Sequence, residues 1–174
     1  MAAPVELEVG DRTVRISNPD RVYFPARGET KLDLARYYLS VADGVVRALR
    51  GRPCMLHRFP TGVDGEKVHQ KRLPKGAPDW VRTVPIWSEA SHREVHHVLC
   101  DDRRTLLWFA NQRAVEYHVP FFRAGHELEP TGLVVDLDPP EDAGFDVVVR
   151  AAGLVGQALA DSGMAGAVKT SGSK

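Results

Sequence analysis

The sequence predicts a single α/β domain in which a mixed sheet is flanked by helices. Two segments, residues 31–50 and 145–162, carry apolar residues at helical spacing. Between them lie short apolar or alternating runs bounded by Gly, Pro and Asp, which are typical of strands and turns. A chain of 174 residues with 43% hydrophobic residues is long enough to bury the core of such a domain.

The N-terminal part predicts a hairpin followed by a long helix. Residues 5–16 alternate apolar and polar side chains around a Gly-Asp turn, as a β-hairpin does. Thr30 is expected to cap the helix of residues 31–50, and Asp33 stands three residues later, where it completes a capping box.

The sequence after residue 50 predicts mainly strands. One helix is expected between them, before the helix that begins at residue 145. This helix is expected to begin at Asp101 or Asp102, because either side chain can cap it. We expect the strands at residues 54–59, 68–72, 80–87, 95–100, 114–119, 132–138 and 167–169.

The strand predicted at residues 132–138 organises the functional interpretation. Asp136 and Asp138 stand at positions i and i+2, so in a strand both carboxylates project from one face. Pro139 and Pro140 follow and place the pair at the strand end. Two adjacent carboxylates repel each other, and a divalent cation such as Mg²⁺ or Mn²⁺ removes that cost. The alternative is a pair of acids that merely caps the following turn.

Charge is unevenly distributed along a chain whose net charge is zero. Residues 1–80 hold 14 basic and 10 acidic residues, whereas residues 81–174 hold 9 basic and 13 acidic ones. This asymmetry suits an anionic polymer and a metal site, although an ordinary solvated surface explains it as well. No apolar run is long enough to span a membrane and no secretory signal is present, so we expect a cytoplasmic protein whose two cysteines are reduced.

Two further groups of residues suit anion binding. Asn18 and Arg21 lie in a turn before Lys31, which begins a helix whose N–H groups and dipole favour an anion; solvent-facing charges are the alternative. The C-terminal Thr-Ser-Gly-Ser-Lys of residues 170–174 offers hydroxyls, amides and a lysine, the groups that hold phosphates. Because a strand opens into this loop where the chain stops, we expect residues 1–174 to be the front part of one longer domain.

Most histidines carry no metal-binding signal of their own. Zinc sites show ligands at short, paired spacings; His96 or His97 with Cys100 could form one such pair, but no second pair exists. The histidines without a ligand partner at suitable spacing are His57, His92, His96, His97 and His126.

Several motifs stand in an order that resembles the polymerase domain of bacterial ATP-dependent DNA ligase D, a family of the archaeo-eukaryotic primase superfamily. The resemblance covers almost the whole chain. The motifs are Asn18-Pro19-Asp20-Arg21, Thr30-Lys31-Leu32-Asp33, His57-Arg58-Phe59-Pro60, Gln70-Lys71-Arg72-Leu73-Pro74, Ala77-Pro78-Asp79-Trp80-Val81, Val115-Glu116-Tyr117-His118, Asp136-Leu137-Asp138-Pro139 and Lys169-Thr170-Ser171-Gly172-Ser173-Lys174.

The resemblance implies a primase-polymerase-like fold of largely antiparallel sheets and a two-metal active site. Asp136 and Asp138 would be two of three carboxylates that hold two divalent ions, Mn²⁺ or Mg²⁺. His118, also a catalytic residue by resemblance, would lie near the incoming nucleotide, and Ser171 and Lys174 would bind its phosphates. The third carboxylate is expected after residue 174, so we expect this chain alone to extend DNA poorly.

The resemblance also implies contacts to DNA. Asn18, Arg21 and Lys31 match a pocket for the 5′-phosphate of the downstream strand. The template strand would contact Arg58, His69 and Lys71. Val68 and His69 stand where the family often has two aromatic residues, so base stacking is expected to be weaker here.

The function that the resemblance implies is template-directed nucleotidyl transfer that fills and extends DNA ends in non-homologous end joining. Ribonucleoside triphosphates would be the preferred substrates, and bacterial Ku and a DNA ligase the partners. The alternative is a non-catalytic module that holds a 5′-phosphorylated DNA end. An Asp-x-Asp phosphatase is disfavoured, because Pro140 occupies the position two residues after Asp138 where that family needs Thr or Val.

Overall fold

The computed structural model of the chain describes residues 2–74 and 76–170. The described residues divide into two compact units, the first ending at Gly132 and the second beginning at Leu133. The prediction that residues 1–174 are part of one longer domain stays a prediction. No helix in the described part of the chain is long and apolar enough to cross a membrane.

The first unit begins with two small antiparallel ladders and two helices. Strands β1 (Val5–Val9) and β2 (Arg12–Ile16) form the predicted hairpin. Strands β3 (Val22–Phe24) and β4 (Glu29–Thr30) form the second ladder. Helices α1 (Lys31–Ser40) and α2 (Ala42–Leu49) follow directly.

The main sheet contains five strands ordered around β5. These are β5 (Pro53–Arg58), β6 (Val68–Gln70), β7 (Thr83–Ser88), β8 (Arg93–Leu99) and β9 (Ala114–His118). The order is β6-β5-β8-β7, and β9 pairs with β5 as well. Helix α3 (Arg103–Asn111) connects β8 to β9.

Every strand pairing in the described residues is antiparallel. The predicted fold class of helices with largely antiparallel sheets is therefore confirmed.

One hydrophobic core joins the three helices of this unit to the sheets. Helix α3 is its centre, because all six residues from Thr105 to Ala110 are buried. Asp102 caps this helix by accepting the Thr105 N–H at 2.8 Å. The Tyr38 hydroxyl of α1 donates to the Val115 carbonyl of β9 at 2.7 Å and so ties the helix layer to the main sheet.

The predicted helix of residues 31–50 is two helices. It breaks at Val41, whose φ of −105° and ψ of 10° lie outside the helical range. The Ser40 hydroxyl donates to the Tyr37 carbonyl at 2.7 Å, and such side-chain bonds compete with the backbone ladder and bend helices.

The strand predicted at residues 80–87 begins later, at Thr83. It tolerates Pro85 because β7 is an edge strand that pairs only with β8, so the missing N–H removes no bond to a second neighbour.

The second unit contains helix α4 (Phe145–Asp161), close to its predicted range. The strands predicted at residues 132–138 and 167–169 are wrong, because both segments lack regular secondary structure. A strand needs a neighbour to bond its N–H and C=O groups, and no strand is present among the described residues 133–170. The apolar side chains of Leu133, Val134 and Val135 are accordingly exposed.

The same result removes the strand geometry that was predicted for the aspartates. Asp136 and Asp138 lie in this segment without strand structure, and both are exposed. Their placement on one face of a strand therefore does not hold.

The capping box at the start of α1 gives the first testable prediction. The Thr30 hydroxyl accepts the Asp33 N–H at 3.2 Å, and an Asp33 carboxylate oxygen accepts the Thr30 N–H at 2.9 Å. Replacing Thr30 by Ala should lower the free energy of unfolding by about 1 kcal/mol, measured by urea denaturation. Thr30→Ser keeps the hydroxyl and should cost much less; equal losses in both variants would contradict a capping role.

Candidate functional site

A cationic pocket forms where the turn after β2 meets the end of α3. Its volume is about 200 Å³. The Ser17 N–H donates to the Asn111 side-chain oxygen at 3.0 Å and holds the two segments together. The pocket is lined by Ser17, Asn18, Arg21, Lys31, Asn111, Gln112 and Arg113. The structure thus brings together the three residues predicted for the 5′-phosphate, namely Asn18, Arg21 and Lys31.

Lys31 is the buried cation of this pocket. Its side chain is 3% exposed, and its ammonium donates to the Ser17 carbonyl at 2.7 Å and to the Ser17 hydroxyl at 3.1 Å. Burial, followed by the positive charges of Arg113 and Arg21, lowers the pKa of Lys31 from 10.5 to about 8.

The ion pairs of the described residues include none of the three pocket cations, Lys31, Arg21 and Arg113. Three positive charges without a carboxylate partner favour a bound anion.

The start of helix α1 offers no free backbone N–H group to this pocket at Lys31, Leu32 or Asp33. The backbone N–H groups of Lys31 and Leu32 already donate to the carbonyls of Arg21 and Pro19, at 2.8 and 3.0 Å. The N–H of Asp33 donates to the Thr30 cap. The predicted role of helix N–H groups is therefore wrong, because the turn and the cap satisfy them first.

Arg113 was not identified from the sequence, although it lines the pocket. It follows the end of α3 with a φ of 71°, a left-handed conformation that usually favours glycine at this position. The Phe59 N–H donates to its carbonyl at 3.0 Å, and its guanidinium donates to the Pro60 carbonyl at 3.2 Å. A strained non-glycine residue held by such contacts often marks a functional position.

A second group of polar side chains lies on the main sheet. In the strand register, His57 of β5 stands opposite His69 of β6 on one neighbour and opposite Glu116 of β9 on the other. His118 lies two residues after Glu116, so it shares a face with it. The His57 ring stacks against His69 with centroids 4.2 Å apart and lies tilted by 33° against the His118 ring, with centroids 3.8 Å apart.

Glu116 is the acceptor of this group. The same carboxylate oxygen, Oε2, lies 2.6 Å from His57 Nδ1, 3.2 Å from His118 Nε2 and 3.3 Å from Lys67 Nζ. The hydrogen bond from His57 is the main cause that lowers the pKa of Glu116 from 4.5 to about 2, and those from His118 and Lys67 act in the same direction. Glu116 is therefore ionised at neutral pH.

The predicted template contacts fall into two classes. His69 and Lys71 line a broad groove of about 460 Å³ together with Arg72, Ser88, Ser91 and Arg93. Arg58 does not line this groove, because its guanidinium donates to the Gln112 carbonyl at 2.6 Å and to the Gln70 side-chain oxygen. It connects a residue of the cationic pocket to a residue of the groove.

The remaining predicted site residues lie in the second unit or outside the described residues. Asp136 and Asp138 belong to the second unit, and among the described residues no third His, Cys, Asp or Glu joins them as a ligand. Ser171 and Lys174 lie outside the described residues.

Comparisons with known proteins identify relatives over most of the chain. A family model described as "LigD, primase-polymerase domain" matches residues 30–174. The chain is 36% identical to the multifunctional non-homologous end joining DNA repair protein LigD of Mycobacterium tuberculosis, over 94% of this chain and 22% of that protein. It is 34% identical to the bifunctional non-homologous end joining protein LigD of Bacillus subtilis, over 92% of this chain and 25% of that protein.

A solved structure is also similar. It is the polymerase domain from Mycobacterium tuberculosis ligase D in complex with DNA, with a TM-score of 0.74 and 33% identity. The match covers 86% of this chain and 54% of that chain. The chain thus spans at most a quarter of the length of these two curated relatives, with 22% and 25% covered.

The cationic pocket gives a second prediction, with sulfate as the probe because its charge is constant near neutral pH. Compared with chloride at equal ionic strength, sulfate should raise the melting temperature at pH 7 and do so less at pH 9. Lys31 loses its proton as the pH rises through about 8, so the pocket becomes less positive.

Lys31→Met should abolish most of the sulfate-specific shift at pH 7. Arg15 lies exposed on β2 and does not line the pocket, so Arg15→Ala controls for the loss of one charge and should behave as the parent chain. A full sulfate shift in Lys31→Met, measured by differential scanning calorimetry, would show that the anion binds elsewhere.

Proposed function

The chain belongs to the family of LigD primase-polymerase domains, and from that premise we propose that it is a template-directed nucleotidyltransferase that fills and extends DNA ends in non-homologous end joining. The observation that carries the proposal is the pocket of three cations without carboxylate partners, because a DNA end carries a phosphate that such a pocket suits. No observation on the described residues favours the non-catalytic alternative.

In this proposal the pocket holds the 5′-phosphate of the downstream strand. Lys31 and Arg21 supply charge, and Asn18 supplies a polar side chain at a φ of 49° that asparagine adopts more readily than most residues. Arg113 adds a third positive charge to the set implied by the resemblance. These contacts fix the position of the gap, so the next template base lies at a constant distance from the DNA end.

The groove on the main sheet is proposed to receive the template strand. His69 supplies an exposed ring on which a base can stack, and Lys71 supplies charge for the backbone. A single imidazole provides less stacking area than a pair of large aromatic rings. We therefore propose that the downstream phosphate contributes more of the affinity than the template bases do.

Divalent ions, Mn²⁺ or Mg²⁺, are proposed to be held by Asp136 and Asp138. Two exposed carboxylates offer the oxygen ligands that such ions prefer and leave room for water and phosphate oxygens. When bound, the ions neutralise charge on the triphosphate and lower the pKa of the attacking hydroxyl. The resemblance assigns the nucleotide itself to His118, Ser171 and Lys174, with ribonucleotides preferred.

The whole protein is proposed to act with bacterial Ku and a DNA ligase in the bacterial cytoplasm. The relatives carry names of multifunctional or bifunctional end-joining proteins, and this chain matches about a quarter of their length or less.

The proposal predicts tighter binding to gapped DNA that carries a 5′-phosphate than to the same DNA with a 5′-hydroxyl. About tenfold is expected at fixed salt, since charge-assisted hydrogen bonds contribute roughly 1.5–3 kcal/mol each. Fluorescence anisotropy measures both affinities. Lys31→Met should remove the preference, and Arg15→Ala should weaken both complexes equally or not at all. Equal affinity of the folded parent chain for the two DNAs would overturn the end-recognition proposal.

The proposed metal site predicts that removing the charges of the carboxylate pair weakens Mn²⁺ binding. Asp136→Asn together with Asp138→Asn should weaken it at least about tenfold, measured by the electron paramagnetic resonance signal of free Mn²⁺, because amide oxygens carry no net charge. Glu141→Gln with Asp142→Asn changes the charge equally at exposed neighbouring positions and serves as the control. If both double variants weakened Mn²⁺ binding equally, the ion would be attracted by the local negative charge and not bound by the Asp136 and Asp138 carboxylates, which would contradict the proposal.

A further inference from the structure

The His57–Glu116–His118 group has the composition of a metal site whose donor atoms differ from those of the aspartate pair. Among the described residues, these three are the one group whose potential ligand atoms all lie within 4.8 Å of one another. Two imidazole nitrogens and one carboxylate oxygen form a donor set typical of zinc and related transition metals. By contrast, Mg²⁺ and Ca²⁺ prefer oxygen ligands only.

The distances fit an ion after a small movement. Ligand atoms that are about 2.0–2.2 Å from a tetrahedral zinc ion are roughly 3.3 Å from one another. His118 Nε2 and Glu116 Oε2 are already 3.2 Å apart, and His57 Nδ1 lies 2.6 Å from the same oxygen. All three ligand atoms lie within 4.8 Å of one another, so the main movement that an ion needs is a lengthening of the 2.6 Å contact at His57.

The ligands are also held in place before any ion binds. His57 is 5% exposed and lies between the rings of His69 and His118. The pairing of β5 with β9 fixes Glu116 directly opposite His57. His118 and Glu116 reach solvent, so the site has an entry path and an open coordination position.

We propose that His57, Glu116 and His118 bind one divalent transition-metal ion of the zinc class, with its remaining position open to solvent. The sequence alone gave no such signal for His57, because its partners are 59 and 61 residues away and meet it only through strand register.

Lys67 would compete with the ion for the Glu116 carboxylate. Its ammonium lies 3.3 Å from Glu116 Oε2, where it neutralises the carboxylate and repels a cation. The side chain is 41% exposed and lies 5.7 Å from the centre of the Phe59 ring, so it can leave the carboxylate without losing all favourable contacts. Removing this charge should tighten metal binding.

The test is titration of the chain with Zn²⁺ by calorimetry and with Co²⁺ by visible absorption, in the Asp136→Asn and Asp138→Asn background. This background removes the proposed oxygen site and leaves the histidine group intact. We expect one equivalent of each ion to bind, with cobalt bands of a four- or five-coordinate site.

Glu116→Gln and His118→Ala should each weaken binding at least about tenfold. Both side chains reach solvent, so the variants should fold, which circular dichroism checks. His96→Ala removes an exposed histidine of β8 and should leave binding unchanged, whereas Lys67→Met should tighten it. The absence of stoichiometric binding, or equal affinity of the Glu116→Gln variant and the parent chain, would overturn the proposal.

Discussion

The pairing of strand β5 with three other strands is the constraint on which the first unit depends. Its first residues pair with β8, its last residues pair with β6, and most of its length pairs with β9. Cys54 and Leu56 are fully buried, so their burial fixes the register of the strand. A slip by one residue would expose these two side chains and move His57 away from Glu116. Core packing thus determines where the polar groups of the sheet stand.

Core packing stabilises the sheet, whereas the charges of the cationic pocket lower the stability of the fold. The pKa of Lys31 is lower in the folded protein than in the unfolded chain, so its protonated form costs stability below about pH 8, and this cost disappears as the pH rises toward 10.5. Arg113 adds strain through its left-handed backbone. A fold that brings three cations together, with no carboxylate partner among the described residues, gains from an anion that offsets their repulsion.

Local sequence patterns predicted the elements whose causes are local. The capping box of Thr30 and Asp33, the Asp102 cap and the hairpin of residues 5–16 depend on neighbouring residues, and each is present. The prediction of a strand at residues 132–138 was wrong, because a strand depends on a partner strand that a local sequence pattern does not contain. Asn18, Arg21 and Lys31 were predicted together because they are close in the chain and match a known motif, whereas Arg113 and Glu116 required the tertiary structure.

The two proposed metal sites differ in the chemistry of their ligands. His118 is proposed both as a ligand of one site and as a contact to the nucleotide, and these two roles compete. The oxygen ligands of Asp136 and Asp138 suit Mg²⁺ or Mn²⁺, and the nitrogen ligands of His57 and His118 suit a softer ion. An ion on His118 Nε2 leaves only Nδ1 of that ring for a hydrogen bond to a nucleotide. With Lys67 on Glu116 instead, His118 Nε2 makes a hydrogen bond of 3.2 Å to the same carboxylate oxygen, which a nucleotide displaces more easily than a metal–nitrogen bond. Occupancy of the histidine site would therefore decide whether His118 contacts a nucleotide directly or through the open position of the ion.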